Sequence, residues 1–265
     1  MRACFPRQDE NAHTLVLTMS GKLNLLFVRH GETQDNIDRI LQGQRDTSLT
    51  DKGHREAEVM AEKFKGQNID FLYHSDLTRM VQTIQPILKI HPNIPTASDS
   101  DLRGQALGSL EGKSYDVLNF SSPRSADSEA GVEQFDDFVR RLKRAMGRIV
   151  GAQAPKVGNE DRNVVIATHG VGITSIFKVL EDTPHCKGFN PALAVRGADA
   201  YEVRWTDSDD VSRLVVEQPA DLPIKDGTLD FESVSGKPFV IELWGKKEKE
   251  LDPEYYSGPA QKPKQ

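Results

Sequence analysis

The chain has 265 residues, enough for one large domain or two small ones with a substantial core, and carries 34 basic against 40 acidic residues for a net charge of −6. That balance argues against a nucleic-acid or anionic-membrane partner, so any anion site must be a local concentration of positive charge. Two cysteines are too few for a disulfide framework, and Cys4 and Cys186 match no metal-ligand spacing, which points to a reducing, cytoplasmic setting and no metal site.

No apolar run approaches the length of a membrane span. Residues 1–22 carry Arg2, Arg7, Asp9, Glu10 and His13, lack the character of a secretory signal and read as a disordered extension. The first strong element is Leu25-Leu26-Phe27-Val28, whose unbroken apolar run predicts a strand buried on both faces, as in a parallel sheet. The run stops at Arg29-His30-Gly31. Open α/β sheets place ligands at the carboxyl ends of their strands. There a guanidinium suits bidentate recognition of phosphate, and an imidazole can serve as nucleophile or proton carrier. Residues 33–50 read as a polar loop over the strand end. Thr50-Asp51 then starts a helix with Ala57, Met60, Ala61 and Phe64 at helical spacing and Gly66 beyond its end. Glu56 is expected to face solvent from this helix.

Residues 69–73 read as a second strand leading into His74-Ser75-Asp76 and a helix with Leu77, Met80, Val81, Ile84 and Leu88 on one face. Pro86 is expected to kink that helix or end it early. Residues 91–100 are irregular, with a short strand before Leu102, and 102–112 form a glycine-rich loop. Residues 121–130 are Ser-rich and expected to be mobile. A long helix follows, with Phe135, Phe138, Leu142, Ala145, Met146 and Ile149 on one stripe. Its basic residues Arg140, Arg141, Lys143, Arg144 and Arg148 read as a solvated face in preference to a docking patch. Val164-Val165-Ile166-Ala167 is the third clear strand; it ends in Thr168-His169-Gly170 and feeds a helix bearing Ile173, Ile176, Phe177 and Leu180. Residues 200–205, 213–216 and 239–244 read as later or edge strands, and 246–265 as a disordered tail. Recurrent strand, loop and helix predict an α/β three-layer sandwich, a mostly parallel central sheet with helices on both faces, in a single domain over 23–245.

Two buried strands therefore end in His-Gly, at His30-Gly31 and His169-Gly170, and a third feeds a helix with Arg79 one turn in. Neighbouring parallel strands bring such ends to one sheet edge, where two arginines and two histidines make a compact site for a dianion. His54, His91 and His185 carry no pattern and read as structural or exposed, and His74 as a surface or supporting histidine.

With these residues in view, the chain resembles the histidine phosphatase superfamily, the phosphoglycerate mutase-like fold, and within it the branch of fructose-2,6-bisphosphatase-like enzymes. The motifs stand in family order: Arg29-His30-Gly31-Glu32-Thr33 with Asn36, Gln42-Gly43-Gln44, Asp46-Thr47-Ser48-Leu49-Thr50 with Gly53, Ser75-Asp76-Leu77 with Arg79 and Thr83, Gly108 with Glu111-Gly112, and Thr168-His169-Gly170. The resemblance implies a phosphatase in which His30 attacks phosphorus and becomes phosphohistidine. Arg29, Arg79 and His169 would hold the phosphoryl oxygens. Asn36, Gln42, Gly43, Thr168, Gly170 and Arg103 would line the substrate side. It implies a small phosphorylated substrate, no cofactor and no metal, and leaves the oligomeric state open.

One position departs from the pattern. The family usually has a glutamate directly after the Leu-Arg that matches Leu102-Arg103, as general acid toward the leaving oxygen; here the residue is Gly104. A positioned acid is worth ~10²–10⁴-fold in rate. The Gly-Glu-Ser usual before the long helix is also altered, to Gly131-Val132-Glu133. Three readings follow: a phosphatase with a substitute acid (Glu111, Asp101 or Glu32) or an undemanding leaving group; a pocket repurposed for isomerisation or elimination; and a catalytically silent phosphate-ligand binder. A mutase role is disfavoured because no second phosphate site is visible.

Overall fold

In the computed structural model, which describes residues 20–117, 128–181, 184, 186–187 and 211–244, strand β1 (Leu23–Arg29) lies inside a seven-stranded sheet. The sheet order is β3 (Thr96–Ser98), β2 (Phe71–His74), β4 (Arg162–Thr168), β1, β6 (Val211–Val216), β9 (Phe239–Trp244) and β5 (Cys186–Lys187). From β3 to β1 all neighbours are parallel. Strand β6 runs antiparallel to both β1 and β9, and β5 runs parallel to β9. A hairpin of β7 (Ile224–Lys225) and β8 (Thr228–Leu229) stands apart. Residues 213–216 are thus an interior strand beside β1, while 200–205, 121–127, 1–19 and 246–265 lie outside the described residues, as does His185.

The period of two along β1 accounts for the layers. Leu23, Leu25 and Phe27 pack against helices α4 (Phe135–Gln153) and α5 (Gly170–Glu181). Leu26 and Val28 pack on the other face with α2 (Asp51–Glu62) and α3 (Thr78–Ile90). The three-layer α/β sandwich follows from one strand that has no polar side to expose.

Two glycines bring the start of α2 to the end of β1. Thr50 caps α2, its hydroxyl accepting from the Gly53 amide at 3.0 Å. A Cβ at Gly31 would lie 2.4 Å from the Gly53 carbonyl oxygen, and one at Gly53 2.1 Å from that of Glu32, so the backbones meet where no side chain fits. Glu56 is drawn into this junction. Its Oε2 accepts from the Glu32 amide at 2.8 Å, so it braces the strand end and does not simply face solvent.

Helix α3 runs through Pro86 to Ile90, contrary to an early end. A proline in a helix interior costs about 3 kcal/mol. Burial of Ile84 and Ile87 in the core is worth about 1.5–3 kcal/mol each, enough to offset it. Among the described residues no helix is long and apolar enough to cross a membrane.

Candidate active site

Arg29 stands opposite Thr168 in the β1–β4 register, so His30 and His169 leave the sheet side by side. Their ring centroids are 5.3 Å apart with planes inclined at 56°. Each residue is only 5% exposed. On the far side of β4, the Ser75 amide donates to the Ala167 carbonyl at 2.9 Å, which sets the Ser75 hydroxyl 2.9 Å from His169 Nε2.

His30 Nδ1 lies 2.8 Å from the Gly31 carbonyl oxygen. A carbonyl can only accept, so Nδ1 carries the proton and Nε2 presents a lone pair. Burial, then the charges of Arg79 and Arg29, holds the imidazole well below its ordinary pKa, against the opposing pull of the Gly31 bond. His30 is therefore neutral at neutral pH. Burial and the same arginines keep His169 neutral too, with His30 and Arg141 contributing. A Ser75 hydroxyl that donates to His169 Nε2 leaves the proton on Nδ1, where it can donate to an anion.

Arg79 is 2% exposed and donates from Nη1 to the Arg45 carbonyl at 2.6 Å and from Nη2 to the Gly43 carbonyl at 3.0 Å. Burial pulls its pKa down to about 10, which still leaves it charged at neutral pH. Arg29 is likewise lowered by burial, with Tyr115 and Glu56 opposing. Arg29 Nε, Arg79 Nε and His169 Nδ1 are buried with no hydrogen-bond partner. An unsatisfied buried donor costs ~1–3 kcal/mol, and three on residues that surround one imidazole need a common reason. A dianion bound among them would supply it.

Two residues beyond the end of β1 add donors. Asn36 Oδ1 accepts from the Thr33 amide at 3.1 Å and hydroxyl at 2.9 Å at the cap of α1 (Gln34–Ile37), so the Asn36 NH2 is left to donate elsewhere. Gln42 Oε1 accepts from the Thr47 hydroxyl at 2.9 Å, which leaves its NH2 in the same condition. Gly43 has φ +52°, and a Cβ there would meet the Glu111 carboxylate at 2.3 Å. Gly170 is the first residue of α5, so the positive end of that helix adjoins His169.

Other expected residues serve the scaffold. The Thr168 hydroxyl donates to the Leu102 carbonyl at 2.6 Å and holds the neighbouring loop. Arg103 is paired with both oxygens of Asp76 at 2.6 Å and with Gln44 at 3.3 Å, which commits its fork. The three candidate substitute acids are also engaged. Glu111 Oε1 takes the Gln44 amide at 2.8 Å and the Leu107 amide at 3.0 Å. Glu32 is bonded to Lys52 at 2.8 Å and Thr50 at 3.0 Å, which lowers its pKa and keeps it ionised. Asp101 pairs with Arg148 at 2.9 Å and Arg144 at 3.5 Å.

Gly104 stands against His169: a Cβ there would lie 3.6 Å from His169 Cγ and 3.6 Å from the Gly43 carbonyl oxygen, ordinary contact distances. A side chain at 104 would thus enter the site. Tyr115 was not marked by any sequence signal. It packs on Leu41, Leu107, Leu110 and Val132 with the Arg39 guanidinium 5.7 Å over its ring. Its phenol, raised by burial, lies within electrostatic reach of Arg29 and Arg79. Among the described residues no group of three or more His, Cys, Asp or Glu is placed to hold a metal ion.

A family model described as histidine phosphatase superfamily (branch 1) matches residues 25–217. Phosphoglycerate mutase-like protein 4 of Arabidopsis thaliana is 33% identical over 165 residues, covering 58% of this chain and 69% of its own length. A broad-specificity phosphatase of Saccharomyces cerevisiae is 31% identical over 170 residues, covering 62% and 72%. Among solved structures, YhfR of Bacillus stearothermophilus aligns with a TM-score of 0.58 at 25% identity, covering 81% of this chain and 97% of its own. A mycobacterial glucosyl-3-phosphoglycerate phosphatase complexed with VO3 shares the fold, with a TM-score of 0.57 at 21% identity over 83% and 96% of the two chains.

Proposed function

The chain belongs to branch 1 of the histidine phosphatase superfamily, and from that membership we propose that it hydrolyses phosphomonoesters of small metabolites through a phosphohistidine on His30. The observation that carries this reading is the Nδ1 bond of His30 to the Gly31 carbonyl, which leaves the Nε2 lone pair free on a ring within electrostatic reach of Arg29 and Arg79, both with an unpartnered buried Nε. Nε2 attacks phosphorus in line, the P–N bond forms, and the ester P–O bond breaks with its electron pair leaving on oxygen. Arg29, Arg79 and His169 Nδ1 take up the charge on the equatorial oxygens, with Asn36 donating from α1. Water then attacks the phosphohistidine and releases inorganic phosphate. The phosphatase and mutase names of the relatives support the same class of small phosphorylated substrate.

Protonation of the leaving oxygen is the weak step, because Gly104 places no carboxylate beside His169 and the nearby acids are committed. The reading therefore favours esters whose leaving group departs without help. Gly104 also supports a second reading, a pocket that binds phosphorylated ligands without hydrolysing them. Comparing p-nitrophenyl phosphate with alkyl phosphates separates the two. Turnover of the aryl ester, at least ~10²-fold above that of the alkyl esters, supports hydrolysis. Phosphate binding without turnover of either favours the silent pocket.

A further inference from the structure

Arg141 was expected on a solvated basic face of α4, yet it is 8% exposed and every N–H of its guanidinium is used. Nε and Nη2 bond the two Glu133 oxygens at 2.6 and 2.8 Å. Nη1 donates to the Asp101 and Arg103 carbonyls at 2.8 and 2.7 Å, and Nη2 also to the Gly104 carbonyl at 2.7 Å. Five donors meet five acceptors, which a lysine with three donors could not match. The Phe138 ring lies 4.9 Å beneath the charge. One turn and two turns further along α4, Arg144 and Arg148 hold Asp99 and Asp101 of the same segment.

The segment so held is the one that faces His169. Its Gly104 carbonyl is gripped from behind by Arg141 and by Gln44 Nε2 at 3.1 Å, while the α-carbon side of Gly104 abuts the imidazole. Thr168, the residue before His169, is bonded to Leu102 of this segment. Ring and wall are therefore fixed to each other, and the wall is fixed to α4.

We propose that Arg141 is a positioning residue: it presses the 101–104 segment against His169 and thereby sets where that imidazole meets a phosphoryl oxygen. The inference rests on the phosphate-binding reading of the pocket but not on hydrolysis, and its test needs no turnover. The groups that face His169 are Ser75, Arg79, His30, Arg29 and Arg141. Of these, Arg141 alone lies on α4.

The test uses the full chain with orthovanadate as ligand and NMR titration of the His169 ring, in wild type, Arg141→Ala and Arg141→Lys. Folding is checked by far-UV circular dichroism and melting temperature. In folded Arg141→Ala we expect vanadate affinity to fall about tenfold and His169 to titrate at higher pH. Guanidinium at sub-denaturing concentration should restore both. Arg141→Lys should keep the titration low, because the charge remains, yet lose affinity, because two donors are missing. Wild-type affinity and titration in the folded alanine variant would overturn the proposal, as would guanidinium that restores melting temperature but not affinity. Should the alanine variant fail to fold, wild-type affinity in the lysine variant overturns it and lowered affinity supports it. If wild type itself binds no vanadate, the phosphate reading fails, and the His169 titration still reports on Arg141.

Discussion

His30 and His169 face each other at 5.3 Å between ring centroids because the strands that carry them pair in parallel, Arg29 opposite Thr168. The two rings differ in what they are tied to. His30 spends Nδ1 on its own chain and leaves Nε2 without a bond to the protein, whereas His169 is tied through Nε2 to the Ser75 hydroxyl and leaves Nδ1 without a partner. One geometry thus leaves two imidazoles with opposite free nitrogens, which suits the proposed division into nucleophile and oxyanion donor.

Inorganic phosphate should stabilise the protein, and the two arginines should differ in how they contribute. At a hundred times its Kd, phosphate adds about 2.7 kcal/mol, or roughly 5–10 °C for a protein of this size. Arg29→Ala should remove most of that shift with little loss of melting temperature without phosphate, since the buried Nε bonds nothing in the protein. Arg79→Ala should remove the shift and also cost about 2–4 kcal/mol, because the Gly43 and Arg45 carbonyls lose their donor. Thermal melts across a phosphate series check both. An equal loss of apo stability in the two variants would contradict this division of roles.

Restoring an acid should help where the leaving group is worst. Gly104 is not among the glycines with positive φ, and a Cβ there makes only ordinary contacts, so Gly104→Glu should fold. Alkyl phosphomonoesters should gain about tenfold or more in kcat, short of the full general-acid effect because nothing has been shaped to hold the carboxylate. Aryl esters should gain much less. Steady-state rates on a paired alkyl and aryl substrate measure it, and equal gains on both would count against protonation as the missing step.

Acid should destabilise the ligand-free protein through the two imidazoles. Both are held below the unfolded value of about 6.5, chiefly by burial. As pH falls through that value the unfolded chain binds protons that the folded chain refuses, so folding stability is complete above it and declines below it. The slope is at most about 1.4 kcal/mol per pH unit for each ring, until that ring's folded pKa is reached. Melting temperature followed from pH 7 to pH 5 should fall less steeply in a His30→Ala, His169→Asn double variant. Identical slopes would place the acid sensitivity elsewhere.

The hub of the fold was legible because β1 and β4 have no polar face to hide, and the site because each ends in His-Gly at the sheet edge. Residues whose role depends on distant partners were not. Arg141 flanks the apolar stripe of α4, and helical periodicity cannot foresee that 101–104 lies over it. Glu56 reads as solvent-facing until the Gly31–Gly53 approach brings the Glu32 amide to it. Pro86 obeys its local rule only where packing is weaker than that around Ile84 and Ile87. Tyr115 reaches the arginines through a loop whose path no short pattern encodes.

If His30 carries the phosphoryl group, the group can be caught there. The full-length protein is mixed with p-nitrophenyl phosphate and quenched within milliseconds in alkaline detergent, since the P–N bond of phosphohistidine survives base and is lost in acid. Peptide mass spectrometry then maps the added phosphate. Phosphate is expected on His30 and absent in His30→Ala, with turnover lost to background in that variant and its fold retained. Turnover that persists in His30→Ala, or phosphate mapped to His169 in the wild type, would contradict it.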